Sequence, residues 1–402
     1  MAGTLPGSMW VPKGFELEVP ATASFYTYIL KIAARCNLAC PYCYVYEGPD
    51  QSWRDRPKFM SDETARQTFR RIAEHVEEKG LKSVVVTFHG GEPLLAGVER
   101  FRRYLKSATD LIPAELELSV QTNGTLLSKQ YLDLFSDYHV KIGLSVDGDR
   151  RANDRYRRFT NGRSSFDRVL AAIELINSKP EWSRLLTGYL AVVDLANTPT
   201  ELFAFMSGLD SRGFDVLLPD CNYEAPPYRP VDDIEQIAYG QWMASLFDAW
   251  LASGKDVEVC YIEEIIAMLF GQPSTREHIG SQFADLIIVE SDGDIEGVDT
   301  LKMVSREATR LGLNVHRNSF SEALLHESVA CRLVGYDALC DQCRSCTFLD
   351  YCGGGYLPHR YKQETGFLNP SVYCHDIQYL ISHIRSTLAK EFRSYDCASG
   401  LP

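Results

Sequence analysis

The chain has 402 residues, 45% of them hydrophobic and 24% charged, and 41 Lys and Arg against 54 Asp and Glu give a net charge of −13. This length accommodates two to three domains, and the acidic balance argues against a nucleic-acid polyanion as the main partner. Residues 1–14 hold neither a basic n-region nor an apolar h-region, and no apolar run has the length of a bilayer span, so neither a secretory signal nor a membrane anchor is expected.

After a lead segment over residues 1–24, an apolar alternating run over 25–34 predicts the first strand. Ser61-Asp-Glu-Thr reads as an N-cap followed by an acidic first turn, opening a helix that stops at Gly80. Ser83-Val-Val-Val-Thr-Phe88 is a β-branched run of the kind found in buried parallel strands. The alternation continues with helices over 97–110, 128–137, 165–178 and 199–211 and strands over 115–121, 140–146, 186–194 and 214–219. Six strands alternating with helices imply βαβ units and a parallel sheet, and six are too few to close an eight-stranded TIM barrel. A Pro- and Tyr-rich loop over 221–232 is followed by helices over 233–252 and 259–270. Residues 287–298 read as a hairpin turning at Asp292-Gly293. An amphipathic helix over 375–392 closes the chain.

Twelve cysteines in a chain without a secretory signal read as metal ligands in a reducing, cytoplasmic compartment. The first group, Cys36-Asn-Leu-Ala-Cys40-Pro-Tyr-Cys43, follows the first strand directly. Three thiolates can hold three corners of a 4Fe-4S cube, leaving the fourth iron open to a small molecule. A zinc knuckle is the plainer alternative. Ligands of parallel α/β proteins bind at the carboxyl ends of strands, where Gly90-Gly91-Glu92-Pro93, Gln121-Thr122-Asn123-Gly124 and Ser145-Val146-Asp147-Gly148 all fall. The glycines permit close backbone approach, and an ionised Glu92 can accept hydrogen bonds from an ammonium group.

The CxxxCxYC and GGEP motifs together resemble those of the radical S-adenosylmethionine (radical SAM) superfamily. The resemblance implies a partial (β/α)6 barrel over residues 25–232 and a 4Fe-4S cluster on Cys36, Cys40 and Cys43 that chelates SAM. It also implies SAM contacts from Gly90, Gly91, Glu92 and Pro93, from Asn123, Ser145 and Asp147, and from Tyr42 at the adenine. Arg157, twelve residues past Ser145, matches the family's carboxylate-binding Arg, and the guanidinium fork suits that job; a solvated basic face shared with Arg150, Arg151, Arg155 and Arg158 is the plainer reading. Tyr189 and Leu190 either pack the adenine or serve the core.

A second group, Cys343-x2-Cys346-x5-Cys352-Gly-Gly-Gly with Cys374 further on, resembles the C-terminal half of a SPASM extension, and four thiolates close an auxiliary 4Fe-4S cluster. A zinc ribbon is the alternative. Gly297-Val298-Asp299 and Tyr356 stand where the fuller pattern has further cysteines, which leaves a second auxiliary cluster in doubt. Cys340 and Cys331 are further ligands or free buried thiols, and Cys221, Cys260 and Cys397 read as structural. Residues 233–330 then bridge the barrel to a SPASM/twitch-like region over 331–402. From about residue 25 to 390 the chain resembles FxsB-type radical SAM/SPASM maturases, which act on ribosomally made precursor peptides. That resemblance implies β-hydrogen abstraction and a carbon–carbon crosslink to an aromatic ring, giving a three-residue cyclophane, with an external reductant of flavodoxin or ferredoxin type. An anaerobic formylglycine-forming sulfatase maturase, or a non-catalytic iron–sulfur or zinc protein, are the alternatives. Asp220, Glu290, Asp292 and Asp299 are the candidate proton acceptors. The substrate peptide is expected to enter extended, by strand addition to an exposed edge, and the short lead is expected to leave no room for a winged-helix leader-recognition domain.

Overall fold

Six parallel strands carry the fold: β1 (Thr27–Ala33), β2 (Ser83–Gly90), β3 (Glu115–Thr122), β4 (Lys141–Ser145), β5 (Leu186–Val192) and β6 (Gly213–Leu217). Between them run α1 (Asp62–Lys79), α2 (Val98–Leu111), α3 (Lys129–Asp137), α4 (Arg150–Tyr156), α5 (Phe166–Asn177) and α6 (Pro199–Ser207). The computed structural model describes residues 9–209, 213–230, 236–254, 257–280 and 285–399, with side chains as far as Glu391. Parts of the predicted elements at 199–211, 221–232 and 233–252 therefore lie outside the described residues.

Local sequence explains each element. The Ser61 side chain accepts the Thr64 N–H, Asp62 and Glu63 fill the first turn, and Gly80 ends α1 at φ 65°. Its apolar positions Ala65, Phe69, Ile72 and Val76 recur every three to four residues and are all buried. In β2 the burial alternates: Val84, Val86 and Phe88 are buried, whereas Thr87 and His89 are half-buried. The continuous β-branched run is thus apolar on the helix side and faces a cavity on the other.

The sheet does not stop at six strands. β7 (Glu258–Val259) pairs with β6, and β8 (Leu286–Val289) runs parallel to β1 on its other side. β9 (Asp294–Glu296) and β10 (Arg310–Asn314) follow antiparallel, giving the order β10-β9-β8-β1-β2-β3-β4-β5-β6-β7. The hairpin expected over 287–298 forms, turning at Gly293 with φ 88°. It docks on β1 instead of standing free and covers that edge along Thr27–Leu30, whereas β7 pairs only with Gly213 and Phe214 of β6.

The C-terminal helix, α8 (Cys374–Ser399), lies along α7 (Ala238–Ala252). A Cβ at Gly240 would come 2.5 Å from the Asp376 carbonyl, which is why that position is glycine. Asp376 in turn accepts the Gly240 N–H at 2.8 Å and Arg229 Nη2 at 2.6 Å, all three residues being buried. This anchors Cys374 at the first turn of α8. Among the described residues no helix is long and apolar enough to cross a membrane.

Candidate active site

A cavity of about 510 Å³ opens at the carboxyl ends of the parallel strands, the place where open α/β sheets hold ligands. Cys36, Cys40 and Cys43 all stand on its wall, in the loop that leaves β1. The loop is fixed from below by the turn after β2. Gly91 N–H donates to Ala33 O at 2.8 Å and Glu92 N–H to Arg35 O at 3.0 Å. A Cβ on Gly91 would lie 1.8 Å from Tyr46 Oη, and one on Gly90, at φ 143°, would lie 2.3 Å from Ala33 O. Both glycines therefore serve the approach of two backbones, and both also line the cavity.

Burial pushes the Cys36 thiol up to about 12 and that of Cys40 to about 11, and it raises Cys43 as well. The protein by itself keeps these groups as thiols, and thiolates form there when metal binding displaces the protons. Among the described residues no three Cys, His, Asp or Glu side chains converge closely enough to hold a single metal ion. Thiols spread along a cavity wall suit a multi-iron cluster, whose ligands sit on separate irons.

Around the thiols the strand ends interlock. Glu92 is completely buried; Oε1 accepts Leu94 N–H at 2.9 Å and Thr122 Oγ1 at 2.7 Å, and Oε2 accepts Asn123 N–H at 2.9 Å. Burial raises its pKa against these three donors. It stands behind the cavity wall, and Pro93 begins the short turn that follows it. Asn123 does face the cavity, and its Nδ2 donates to Asn37 Oδ1 at 3.0 Å and lies 3.8 Å from Cys36 Sγ. Ser145 Oγ accepts Gln121 Nε2 at 2.9 Å, both on the wall.

On the opposite side Arg157 donates from Nη1 to the Tyr42 hydroxyl at 2.8 Å, and that hydroxyl donates to Asp147 Oδ2 at 2.6 Å. Asp147 also accepts Val192 N–H at 3.3 Å. Arg157 and Tyr42 line the cavity and Asp147 supports them from behind. The Arg157 Nε is buried with no partner among the described residues. Of the two β5 residues singled out, Leu190 is on the wall, and Tyr189 is buried away from it.

The four candidate carboxylates separate. Asp220, just past β6, is on the cavity wall, and burial followed by the nearby Asp299 charge pushes it up to about 7. Asp299 pairs with Lys31 and accepts the Tyr44 hydroxyl at 2.7 Å. Burial opposes its ionisation, but the Lys31 ammonium outweighs it and holds Asp299 at about 2. Glu290 joins a buried network with Lys302, at 3.1 Å, and Arg56, at 3.3 Å, while Asp292 meets Arg56 at 3.2 Å. None of these three lines the cavity.

Sequence reasoning missed Lys31, Tyr44 and His89. Lys31 Nζ lies 3.1 Å from Tyr44 Oη and 3.1 Å from His89 Nδ1, and both of those residues face the cavity. A single lysine in the otherwise apolar run Thr27–Ala33 was the available signal, since a fully buried cation needs a partner. Burial and the Lys31 charge depress His89 to about 3, so it is a neutral imidazole at physiological pH.

The second cysteine group also assembles. Cys343, Cys346, Cys352 and Cys374 line one small cavity of about 30 Å³ together with Gln378, whose Nε2 is 3.4 Å from Cys374 Sγ and 3.7 Å from Cys346 Sγ. Burial pushes Cys352 to about 12 and Cys374 to about 11. Cys340 lies outside the lining but hydrogen-bonds Cys343, which that bond and burial push up. Cys331 is buried in a separate apolar cluster with Trp10, Leu301 and Leu357, its Sγ 3.5 Å from Ser328 O. Tyr356 lies 2.5 Å from Thr300 Oγ1 through its hydroxyl. Cys221 packs against the core, Cys260 begins the helix Cys260–Leu269, and Cys397 lies beyond the described side chains.

Residues 30–187 match the family model of the radical SAM superfamily. The chain is 23% identical over 367 residues to the serine-type anaerobic sulfatase-maturating enzyme of Bacteroides thetaiotaomicron, covering 86% of this chain and 85% of that protein. Its fold is similar to that of native anSMEcpe with bound AdoMet and Cp18Cys peptide, with a TM-score of 0.76 at 22% identity, over 92% of this chain and 99% of that one. It is also similar to Streptococcus suis SuiB bound to precursor peptide SuiA, with a TM-score of 0.56 at 15% identity, over 88% and 76% of the two chains. The match over residues 30–187 and the likeness in structure together make this mixed α/β architecture with its parallel sheet a radical SAM fold. The family implies a 4Fe-4S cluster and SAM, and the three thiols on the cavity wall fit the cluster.

Proposed function

We propose that this enzyme modifies a side chain of a ribosomally made precursor peptide, joining the β-carbon of one residue to a nearby aromatic ring. The observation that carries the reading is the convergence of Cys36, Cys40, Cys43, Asn123, Ser145 and Arg157 on one cavity at successive strand ends. A cluster and SAM bound there supply a 5'-deoxyadenosyl radical. The chain's own residues would hold and orient them: the three thiolates would take the cluster, and the Arg157 guanidinium, steadied by Tyr42 and Asp147, would pair with the SAM carboxylate. Asn123, Ser145 and Leu190, all on the cavity wall, would contact the bound SAM, Leu190 at the adenine. Glu92 positions Asn123 and the Thr122 turn.

The net change on the peptide is loss of a hydrogen atom, an electron and a proton. Cys343, Cys346, Cys352 and Cys374 suit an auxiliary 4Fe-4S cluster as the electron acceptor, with a flavodoxin or ferredoxin as the external reductant. SuiB bound to a precursor peptide supports a peptide substrate. A second reading, a sulfatase-maturating enzyme that forms formylglycine, is favoured by the likeness to the Bacteroides enzyme over 86% of this chain. Val298 and Tyr356, where a fuller auxiliary set has cysteines, favour the crosslinking reading.

The test incubates the anaerobically reconstituted enzyme with SAM and dithionite and either of two peptides. One is the product of a short reading frame beside the gene, the other the Cp18Cys peptide. Loss of two hydrogens from the first, with a new ring-to-β-carbon bond in its fragment spectrum, is expected. An aldehyde on the second instead would establish the sulfatase-maturase reading, and conversion of neither would sink both.

A further inference from the structure

We infer that Asp220 is the proton acceptor of this site, taking the proton released when the substrate-centred radical is oxidised, and that Asp299 is its positioning partner and not itself the base. The inference rests on the peptide-oxidation reading and holds for either product, since crosslinking and formylglycine formation both shed a proton.

Geometry separates the four carboxylates. Asp220 lies on the wall of the cavity that holds the three cysteines, beside Leu217, Leu218 and Pro219 at the end of β6. It makes no hydrogen bond or ion pair among the described residues, so both oxygens are open to a substrate proton. The other carboxylate on the wall, Glu47, is exposed. Asp299, off the cavity wall, holds both the Lys31 ammonium and the Tyr44 hydroxyl on its Oδ2. A carboxylate locked in a buried ion pair is a poor base, whereas its fixed negative charge makes a neighbouring carboxylate hold a proton more tightly. Two carboxylates whose surroundings drive their pKa values apart, to about 7 and about 2, divide into proton carrier and fixed anion. The titratable groups facing Asp220 from the packed elements are Asp299, Tyr44, Tyr356, Tyr373 and Cys221. Burial raises each tyrosine and Cys221, so at neutral pH Asp299 is the charged member of this group.

The balance is simple. Bound SAM would supply a 5'-deoxyadenosyl radical, to which the substrate β-carbon would give a hydrogen atom, leaving 5'-deoxyadenosine. In crosslinking the β-carbon radical adds to the aromatic ring, forming the carbon–carbon bond, and oxidation of the ring radical sends one electron to an iron–sulfur acceptor and the ring C–H proton to an Asp220 carboxylate oxygen; in formylglycine formation oxidation of the β-carbon radical sends the O–H or S–H proton there. That proton passes to solvent at product release.

Two measurements on the full reconstituted chain test this. Infrared difference titration across neutral pH, without peptide, should show a carboxyl losing its proton near pH 7. D220N should abolish that signal, and D299N should move it downward, because the Asp299 charge is removed. A signal unchanged in D220N, or absent from the wild type, would overturn the inference whatever the substrate proves to be. In turnover of the peptide that the wild type converts, D220N should still form 5'-deoxyadenosine while product falls about 100-fold or more; D220E should recover part of it. Product from D220N at the wild-type rate would overturn the inference and leave the peptide reading standing. Conversion of neither test peptide by wild type, with the Asp220 carboxyl titration intact, would sink the peptide reading and leave the carboxyl assignment standing.

Discussion

The Tyr42 hydroxyl donates to Asp147 Oδ2 at 2.6 Å, and through it the loop of the three cysteines is tied to the end of β4. The same oxygen accepts from Arg157 at 2.8 Å, so one phenol sets the direction of the guanidinium that faces the cavity. Tyr42→Phe removes a donor from a buried carboxylate and an acceptor from a buried cation. Unfolding of the cluster-free chain in urea should show a loss of about 1–3 kcal/mol. SAM binding by the reconstituted enzyme should weaken about tenfold, whereas a SAM affinity equal to wild type would show that Arg157 does not depend on Tyr42.

Glu92 makes three hydrogen bonds from two oxygens, to Leu94, Thr122 and Asn123. Glu92→Gln turns one acceptor into a donor, and one of those N–H or O–H groups then faces a donor. A stability loss of about 1–3 kcal/mol is expected, along with a weaker hold on Asn123 and the cysteine loop. Normal iron content and normal stability in E92Q would contradict this.

Lys31 and Asp299 are both nearly excluded from water, at 3% and 11% side-chain exposure. Removing one partner leaves a buried charge, so Lys31→Met alone should cost about 3–5 kcal/mol, and the double variant Lys31→Met/Asp299→Leu should recover most of that. The pH dependence has a defined sign. Asp299 is held at about 2, below the ordinary carboxylate range near 4, so the unfolded chain binds the more protons between the two values. Its stabilisation is present above pH 4 and is lost as pH falls toward 2. Wild type and the double variant, compared by acid unfolding, should therefore converge at low pH.

Asp220 carries the opposite sign. Its pKa is raised to about 7 in the fold, so the folded chain binds the more protons between pH 4 and 7, and its contribution worsens as pH rises. D220N should match wild type at pH 4 and exceed it at pH 8 by up to about 4 kcal/mol. Equal stability of the two across that range would place Asp220 in contact with water.

All six barrel strands, five of the six helices between them and the hairpin at Asp292-Gly293 were legible in the sequence because each is a local pattern. Alternation marks a strand, a capped run such as Ser61 to Gly80 marks a helix, and the cysteine spacing marks the cluster loop. What escaped was non-local. Val259 pairs with Phe214 and Leu286 with Thr27 across long stretches of chain, and nothing within β7 or β8 names the partner. The short helix Arg150–Tyr156 escaped because its face carries four charges and no apolar stripe. The Lys31–Asp299 pair and the Arg56–Lys302–Glu290–Glu296 network join residues far apart in the chain, so each charge reads as a solvated one until the fold buries it. The same holds for the division between Asp220 and the other three carboxylates, which only the cavity wall decides.

The central claim, radical chemistry on a SAM-binding cluster with a second cluster beside it, is tested most directly by iron analysis paired with SAM cleavage. The chain is purified and reconstituted without oxygen, and iron is counted beside 5'-deoxyadenosine formed from SAM and dithionite. About eight irons with cleavage are expected for wild type, about four without cleavage for the Cys36→Ala/Cys40→Ala/Cys43→Ala variant, and about four with cleavage for the variant lacking Cys343, Cys346, Cys352 and Cys374. Zinc in place of iron, or no cleavage by wild type, would contradict the claim.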